Sequence, residues 1–384
     1  EGLGFPELMT KLCEQNNGRA NLLQKIKTRL SYIESFPELY QNATAFHSEL
    51  STMYPIDTIL TTNWDDYFEK ECGSIPFVTA EDFSFWSIPG RKVFKIHGSA
   101  SNYGSIVATK EDYDNCYTRL TNGIIGSYLK LMLATKTIVY IGFSFQDYDL
   151  LKIHSYLSNE MKGLLPQSYI VTLDESSDAR FREHGLIPIY TDGTHFLSVL
   201  KNRLVEQNEM LSDDIYYKVK LFLSIIDSEH DKFSSQAKLQ KHPEDIYTFA
   251  YQDGLKHALE RMIALQNTGY YSHRCNIVNA IKSYNGFKKE KLKIGKYHDV
   301  SYIEGYINGL TIILFSGNKL PLLRWIPLFY IYGYKGNLTK FSEYKKIRKN
   351  AENLHKKAYK YAKEIVKNVI GDSNLIYHHT PFLL

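Results

Sequence analysis

Four short apolar runs rich in β-branched residues recur along the first half of the chain. They cover residues 56–62, 137–142, 168–173 and 187–190, and each is followed by a polar turn and then by a helical pattern. Continuous apolar runs of this length are typical of strands buried on both faces of a parallel sheet. The alternation of strands with helices predicts an α/β fold with a doubly wound parallel sheet.

Two regions depart from this alternation. Residues 72–118 are rich in Gly, Ser and aromatic residues without a strong period, apart from a short run at 92–96, and predict a small inserted subdomain or lid. After about residue 210, Lys, Tyr and Leu recur at helical spacing, most clearly from Ser342 through Val369. We therefore predict an α/β domain at 1–210 and a mainly helical domain at 211–384.

Length and composition are compatible with this division. A chain of 384 residues exceeds the usual size of one core, and its 43% hydrophobic and 23% charged residues are typical of globular proteins. The most apolar stretch, 320–334, is too short to span a bilayer and contains Arg324. We expect a cytoplasmic protein without a membrane segment. Its four cysteines are scattered and form no CxxC pair: Cys13, Cys72, Cys116 and Cys275. This spacing argues against disulfides and against a zinc site built from cysteines.

The two predicted domains carry opposite charge. Residues 1–210 hold 19 Lys and Arg against 26 Asp and Glu, a net charge of −7, whereas residues 211–384 hold 27 against 16, a net charge of +11. Ten of these cations lie within 340–367, interleaved with tyrosines, a pattern that can bind a phosphate backbone but is as common on a solvated helix face. The asymmetry predicts an acidic partner for the second domain.

Polar turns occur at the ends of the run at 56–62, the short run at 92–96 and the run at 137–142, the positions where ligands bind in doubly wound sheets. They are Thr61-Thr62-Asn63-Trp64-Asp65-Asp66, His97-Gly98-Ser99 and Gly142-Phe143-Ser144. Singly, each is also typical of helix capping or of an ordinary turn. Their order along the chain resembles that of the sirtuins, in particular the bacterial sirtuin-like domains that consume NAD in anti-phage defence. The opening Gly4-Phe5-Pro6 resembles the segment after that family's Gly-Ala-Gly nucleotide loop.

The resemblance implies a function and a set of roles. It implies cleavage of NAD to nicotinamide and ADP-ribose, with NAD as substrate rather than as a bound cofactor. Asn63 would position the nicotinamide ribose and water, Asp65 would lie at the nicotinamide end, and His97 would act as general base or orient a ribose hydroxyl. The residues implied to contact the remainder of NAD are Gly4, Pro6, Gly142, Phe143, Ser144, Asp174 and Asp192.

Two departures from the protein-deacylating sirtuins qualify the resemblance. Between His97 and Gly142, where those enzymes bind structural zinc through two CxxC pairs, only Cys116 occurs, so we expect no metal and a shift toward water as acceptor. The Gly-Ala-Gly loop is also absent; because the chain begins at Glu1, we expect that loop in preceding sequence. The residue types suit the reaction, since an oxocarbenium-like centre requires an oriented nucleophile and nearby oxygen atoms.

Alternatives remain at this point. One is a protein deacylase or ADP-ribosyl transferase, and another is a nucleic-acid-binding or nuclease component with a regulatory nucleotide site. Within the resembling family, the chain length and helical second domain imply a homo-oligomer associated with a HerA-type hexameric ATPase. The Thoeris type normally adds a second nucleotide-sensing domain, whose Gly-rich turn we do not find after residue 210.

Overall fold

A computed structural model describes residues 4–143, 157, 159–161, 163–315, 327–370 and 378–382. The chain divides into two compact units, Glu1–Arg203 and Leu204–Leu384. The first unit combines parallel strands with helices, and the second is helical, as predicted for the fold class.

The strands of the first unit that the structure describes pair in parallel in two groups of three. β1 (Thr58–Thr61), β2 (Ile75–Phe77) and β3 (Lys92–Lys95) have the order β1-β3-β2. β4 (Val139–Ile141), β5 (Ser168–Thr172) and β6 (Leu186–Tyr190) have the order β4-β5-β6. The parallel pairing confirms the predicted sheet class. The interpretation of 72–118 as an insertion outside the sheet was wrong in part, because β2 and β3 lie within it.

Helices connect and cover these strands. Their bounds are α1 Phe5–Cys13, α2 Gly18–Glu34, α3 Pro37–Ser51, α4 Tyr67–Cys72, α5 Lys110–Asn122, α6 Ile124–Thr135, α7 Asp178–Glu183 and α8 Gly193–Glu206. Single 3₁₀ turns occupy Glu81–Phe85, Tyr103–Ser105 and Glu175–Ser177. Thr109 and Asp112 form a reciprocal capping box at the start of α5, which fixes where the chain leaves the 97–109 loop.

The second unit is built around two long helices. Its helices are α9 Asp214–Gln236, α10 Asp245–Ala264, α11 Arg274–Lys293, α12 Tyr297–Phe315, α13 Phe341–Arg348, α14 Ala351–Leu354 and α15 Lys356–Ile365, with 3₁₀ turns at Gln266–Thr268 and Tyr270–Ser272 and a π-helical turn at Val366–Ile370. A Cβ on Gly254 of α10 would lie 2.0 Å from the Tyr302 carbonyl oxygen, and one on Gly305 of α12 would lie 2.0 Å from that of Tyr251. Glycine therefore permits the close crossing of α10 and α12. None of the described helices is long and apolar enough to cross a membrane.

The basic segment 340–367 is not one continuous helix but three short ones. Within this segment, Arg348 donates to buried Asp245, with an Nη1–Oδ2 distance of 2.9 Å, and the side chain of Tyr344 is fully buried. These two residues therefore belong to the core and not to a surface that could track a phosphate backbone. The lysines remain exposed: Lys340, Lys345, Lys346, Lys349, Lys356, Lys357, Lys360, Lys363 and Lys367.

Candidate functional site

The turn after β1 places Asn63 at the carboxyl end of a parallel strand. The side chain of Asn63 is exposed, while its backbone N–H donates to Thr61 Oγ1 at 3.1 Å. The carboxylate of Asp65 accepts from the backbone N–H of Tyr67 at 3.2 Å, where α4 begins. Asp65 thus stabilises a helix start, and Asn63 extends to solvent, available to a ligand.

The turn after β3 lies beside this one. Parallel register pairs Thr61 with Lys95, the Ile96 N–H donates to the Thr61 carbonyl at 2.9 Å, and the Ala100 N–H donates to the Trp64 carbonyl at 2.7 Å. Asn63 follows Thr61 by two residues, and His97 follows Lys95, the register partner of Thr61, by two residues. The structure therefore brings the two predicted catalytic residues to neighbouring strand ends.

His97 is buried, with 6% of its surface exposed. Its ring contacts the edge of Tyr113 with centroids 5.1 Å apart, and its carbonyl accepts from the Val107 N–H at 2.9 Å. Burial and, as a smaller effect, the positive charge of Arg119 lower the pKa of His97 to about 4. The imidazole is consequently neutral near pH 7, with a lower proton affinity than an exposed histidine.

Gly98 has a backbone conformation that this loop requires. Its φ is +88°, and a Cβ at this position would lie 2.1 Å from the carbonyl oxygen of Ser105. The backbone geometry therefore explains why a glycine follows His97: it allows the chain after β3 to turn tightly against the 103–107 segment.

Sequence reasoning missed a buried lysine beneath these turns. The Lys95 side chain is fully buried, and its ammonium donates to the Asp65 carbonyl, to Glu69 Oε1 at 3.0 Å and to Asp66 Oδ1 at 3.3 Å. Ser99 Oγ also donates to Asp66 Oδ1, at 3.1 Å. Burial raises the pKa of Glu69, and the Lys95 charge opposes that rise. A lysine next to the apolar residues of β3 and two residues before His97 was the available signal.

The first described residues lie near the same turns. The ring of Phe5 is 6.4 Å from that of Trp64, between centroids, and Trp64 packs with α1 and α2 around Leu22. The Gly4 carbonyl accepts from the Leu8 N–H at 3.0 Å, and the Pro6 carbonyl accepts from Thr10 Oγ1 at 2.8 Å, as in a helix start. Gly4 and Pro6 flank Phe5, whose ring contacts the turn that contains Asn63.

The turn after β4 contains Gly142, with φ of +64° and, among the residues that the structure describes, no atom within 4 Å of the position a Cβ would take. The ring of Phe143 lies 5.3 Å from that of Tyr140 and packs against the core around Ile170. The Phe143 side chain is half-buried and contributes to this core. Ser144 lies outside the described residues.

The two predicted adenosine-binding aspartates lie after β5 and β6. Asp174 accepts from the hydroxyl of Ser176 at 2.5 Å and from that of Ser177 at 2.6 Å, and these two hydrogen bonds, that of Ser176 first, lower its pKa. Asp192 Oδ1 accepts from the His195 N–H at 2.9 Å, at the start of α8. A Cβ on Gly193 would lie 2.5 Å from Ile141 Cγ2, so the Asp192 turn adjoins the end of β4.

The match to a protein family covers this part of the chain. Residues 57–189 match the SIR2-like domain, so the segment containing both central turns is a SIR2-like domain. Comparison with curated proteins finds the NAD(+) hydrolase ThsA of Cytobacillus dafuensis, 30% identical over 39% of this chain and 29% of that protein. The NAD(+) hydrolase ThsA of Enterococcus faecium is 30% identical over 37% and 29%.

A third relative is the defense-associated sirtuin 2 of Bacillus subtilis, 24% identical over 52% of this chain and 20% of that protein. In each case the aligned part spans less than a third of the relative's length. None of these names mentions a HerA-type ATPase. The predicted resemblance to NAD-consuming defence sirtuins is confirmed at the level of the domain.

Proposed function

We propose that this chain is an NAD glycohydrolase acting in anti-phage defence, with Asn63 and His97 at the reacting bond. The main observation in support is that the two turns are adjacent. The backbone N–H groups of Ile96 and Ala100, after β3, donate to the carbonyls of Thr61 and Trp64, after β1. The two turns carry an exposed amide, that of Asn63, and a buried, neutral imidazole, that of His97, which supports the proposal that both act on one substrate. The names of relatives that share the SIR2-like domain support the same activity.

The proposed chemistry is hydrolysis of the bond between nicotinamide and ribose. As that bond breaks, its electron pair passes to the pyridinium nitrogen and neutralises it, which leaves positive charge on the ribose. Water adds its oxygen to C1′, and its proton passes to His97 and then to solvent. Asn63 orients the water and the ribose, because an amide can both donate and accept hydrogen bonds. The products are nicotinamide and ADP-ribose.

The remainder of NAD would follow the carboxyl ends of the other strands. Gly142 would admit a phosphate or ribose close to the backbone, because no side chain occupies that position. Asp174 would accept from the adenosine ribose, and Asp192 would lie by the adenine. The proposed set of NAD-binding residues is completed by Gly4, Pro6, Asp65 and Ser144.

The test is to incubate the purified chain with NAD and separate the products by chromatography. We expect nicotinamide and free ADP-ribose in equal amounts. O-acetyl-ADP-ribose formed from an acetylated peptide would instead identify a deacylase, and ADP-ribose attached to protein would identify a transferase. An Asn42→Ala variant, changed on the exposed face of α3, serves as a matched control for Asn63→Ala.

We further propose that activity is controlled by assembly in the cytoplasm. The charge difference between residues 1–210 and 211–384 supports a homo-oligomer in which unlike surfaces meet, or an acidic partner such as nucleic acid. A HerA-type hexameric ATPase is the proposed protein partner. Co-expression of chain and ATPase, followed by light scattering and NAD cleavage of the complex, tests this; independent elution with unchanged activity contradicts it.

A further inference from the structure

A cluster of two histidines and an aspartate lies in the second unit, on residues far apart in sequence. His230 is on α9, Asp253 on α10, and His378 in the segment 378–382. One potential ligand atom from each lies within 4.8 Å of the others. Donors around a tetrahedral zinc are about 3–3.5 Å apart, so small side-chain rotations suffice to close the set.

The surroundings of His230 fix which ring nitrogen can bind a cation. Gln252 Nε2 donates to the Leu328 carbonyl at 2.8 Å, which orients Gln252 Oε1 toward His230 Nδ1 at 3.0 Å. An amide oxygen only accepts, so Nδ1 carries the proton and Nε2 retains its lone pair. Metal-binding histidines are commonly oriented in this way by a carbonyl on the second nitrogen.

Asp253 and His378 are held beside each other. Asp253 is buried, its Oδ1 is 3.0 Å from His378 Nδ1, and its Oδ2 accepts from the His379 N–H at 2.7 Å. The rings of His378 and His230 are 5.2 Å apart between centroids. The His378 side chain is 56% exposed, which leaves a route for an ion and for a water ligand.

A second group nearby, formed by His298, Asp299 and His379, differs in charge. The Lys291 ammonium lies 2.7 Å from Asp299 Oδ2 and already neutralises that carboxylate. A dication there would meet a fixed positive charge. Around the first cluster the Lys256 ammonium is instead paired with Asp227 at 2.7 Å. The charge distribution therefore favours the first cluster.

We propose that His230, Asp253 and His378 bind a divalent transition metal ion of the zinc class, with the fourth position open to water. Imidazole nitrogen and carboxylate oxygen are ligands that Zn²⁺ accepts. The bound ion would join α9, α10 and the segment 378–382. Our expectation of no metal followed from the cysteine pattern, which does not bear on a histidine and aspartate set assembled by tertiary structure.

The test uses the complete chain, stripped with a chelator and then titrated with ZnCl₂. We expect wild type to retain one zinc per chain after desalting and to gain thermal stability, since binding the folded state alone raises the melting temperature. His230→Ala and His378→Ala should bind zinc at least about 10-fold more weakly. His257→Ala, a histidine on α10 outside the cluster, should match wild type.

Circular dichroism checks that each variant is folded, and His378 provides an exposed position if His230→Ala does not fold. A wild-type chain that retains no zinc overturns the proposal. Variants at 230 and 378 that bind as tightly as wild type, or a His257→Ala variant that loses zinc to the same extent, overturn it as well.

Discussion

Thr61 and Lys95 are register partners at the ends of two adjacent parallel strands, and the Ile96 N–H following Lys95 donates to the Thr61 carbonyl at 2.9 Å. This one pairing sets the relative positions of the two turns that carry Asn63 and His97. Beneath them, the buried ammonium of Lys95 binds the Asp65 carbonyl of the first turn. The arrangement of the site thus depends on backbone pairing and on one buried cation.

Replacing Asn63 or His97 by alanine should reduce NAD cleavage by about 10²–10⁴-fold, because under the proposed function each substitution removes a group that acts at the reacting bond. Initial rates of nicotinamide release measure the effect, and circular dichroism establishes that the variants are folded. Asn42→Ala should retain the wild-type rate. A folded Asn63→Ala or His97→Ala variant with near-normal turnover would show that the residue has another role.

The strand ends could be predicted from the sequence, whereas the contacts beneath them could not. Runs at 56–62 and 168–173 contain β1 and β5, because β-branched residues favour strands and are concentrated in both runs. β2 at Ile75–Phe77 has three residues and a proline, too short for any periodicity. Lys95 was missed because its carboxylate partners belong to the turn after β1 and to α4. Tyr344 and Arg348 were misassigned because only tertiary packing brings them against Asp245.

The buried His97 should make unfolding stability depend on pH. Its folded pKa of about 4 lies below the ordinary value of 6.5, so the unfolded chain takes up a proton first as pH falls. The contribution of the neutral His97 to the free energy of unfolding is complete above pH 6.5. It is lost as pH falls from 6.5 to 4, by at most about 3 kcal/mol. Urea unfolding of wild type and His97→Gln at pH 7 and pH 4.5 measures the difference. An equal loss of stability in both proteins would contradict the prediction.

Lys95→Met should destabilise the first unit by about 2–4 kcal/mol, since it leaves Asp66 and Glu69 without their buried cation. The two carboxylates are 25% and 17% exposed, so water compensates only in part. Lys92→Met is the matched control on the same strand: its ammonium donates to the carbonyls of Ile88 and Gly90 near solvent, and the expected change is below about 1 kcal/mol. Urea denaturation compares them, and similar losses would refute a special role for Lys95.

Gly98→Ala should destabilise the chain and lower NAD cleavage, because a Cβ at φ +88° would meet the Ser105 carbonyl oxygen at 2.1 Å. A loss of at least about 2 kcal/mol is expected. Gly286→Ala on α11 is the opposite case: no atom of the described residues lies within 4 Å of its Cβ position, and alanine in a helix interior should stabilise by about 0.5–1 kcal/mol. Thermal melts of the Gly98→Ala and Gly286→Ala variants compare their stabilities. Equal effects would show that the loss of a glycine, and not the positive φ and close contact at Gly98, determines the change in stability.

The exposed lysines of 340–367 should drive salt-sensitive assembly. Lys356 and Lys357 are exposed at the start of α15, in the half of the chain with net charge +11, whereas residues 1–210 carry −7. Contacts between unlike surfaces of different copies should weaken as salt screens exposed charges. Changing both lysines to Glu should therefore lower the mass measured by light scattering at low salt. Lys25 and Lys27, exposed on α2 in the acidic half, provide a control with the same change in net charge. If the two double variants assemble alike, total charge is responsible and the basic segment is not the contact surface.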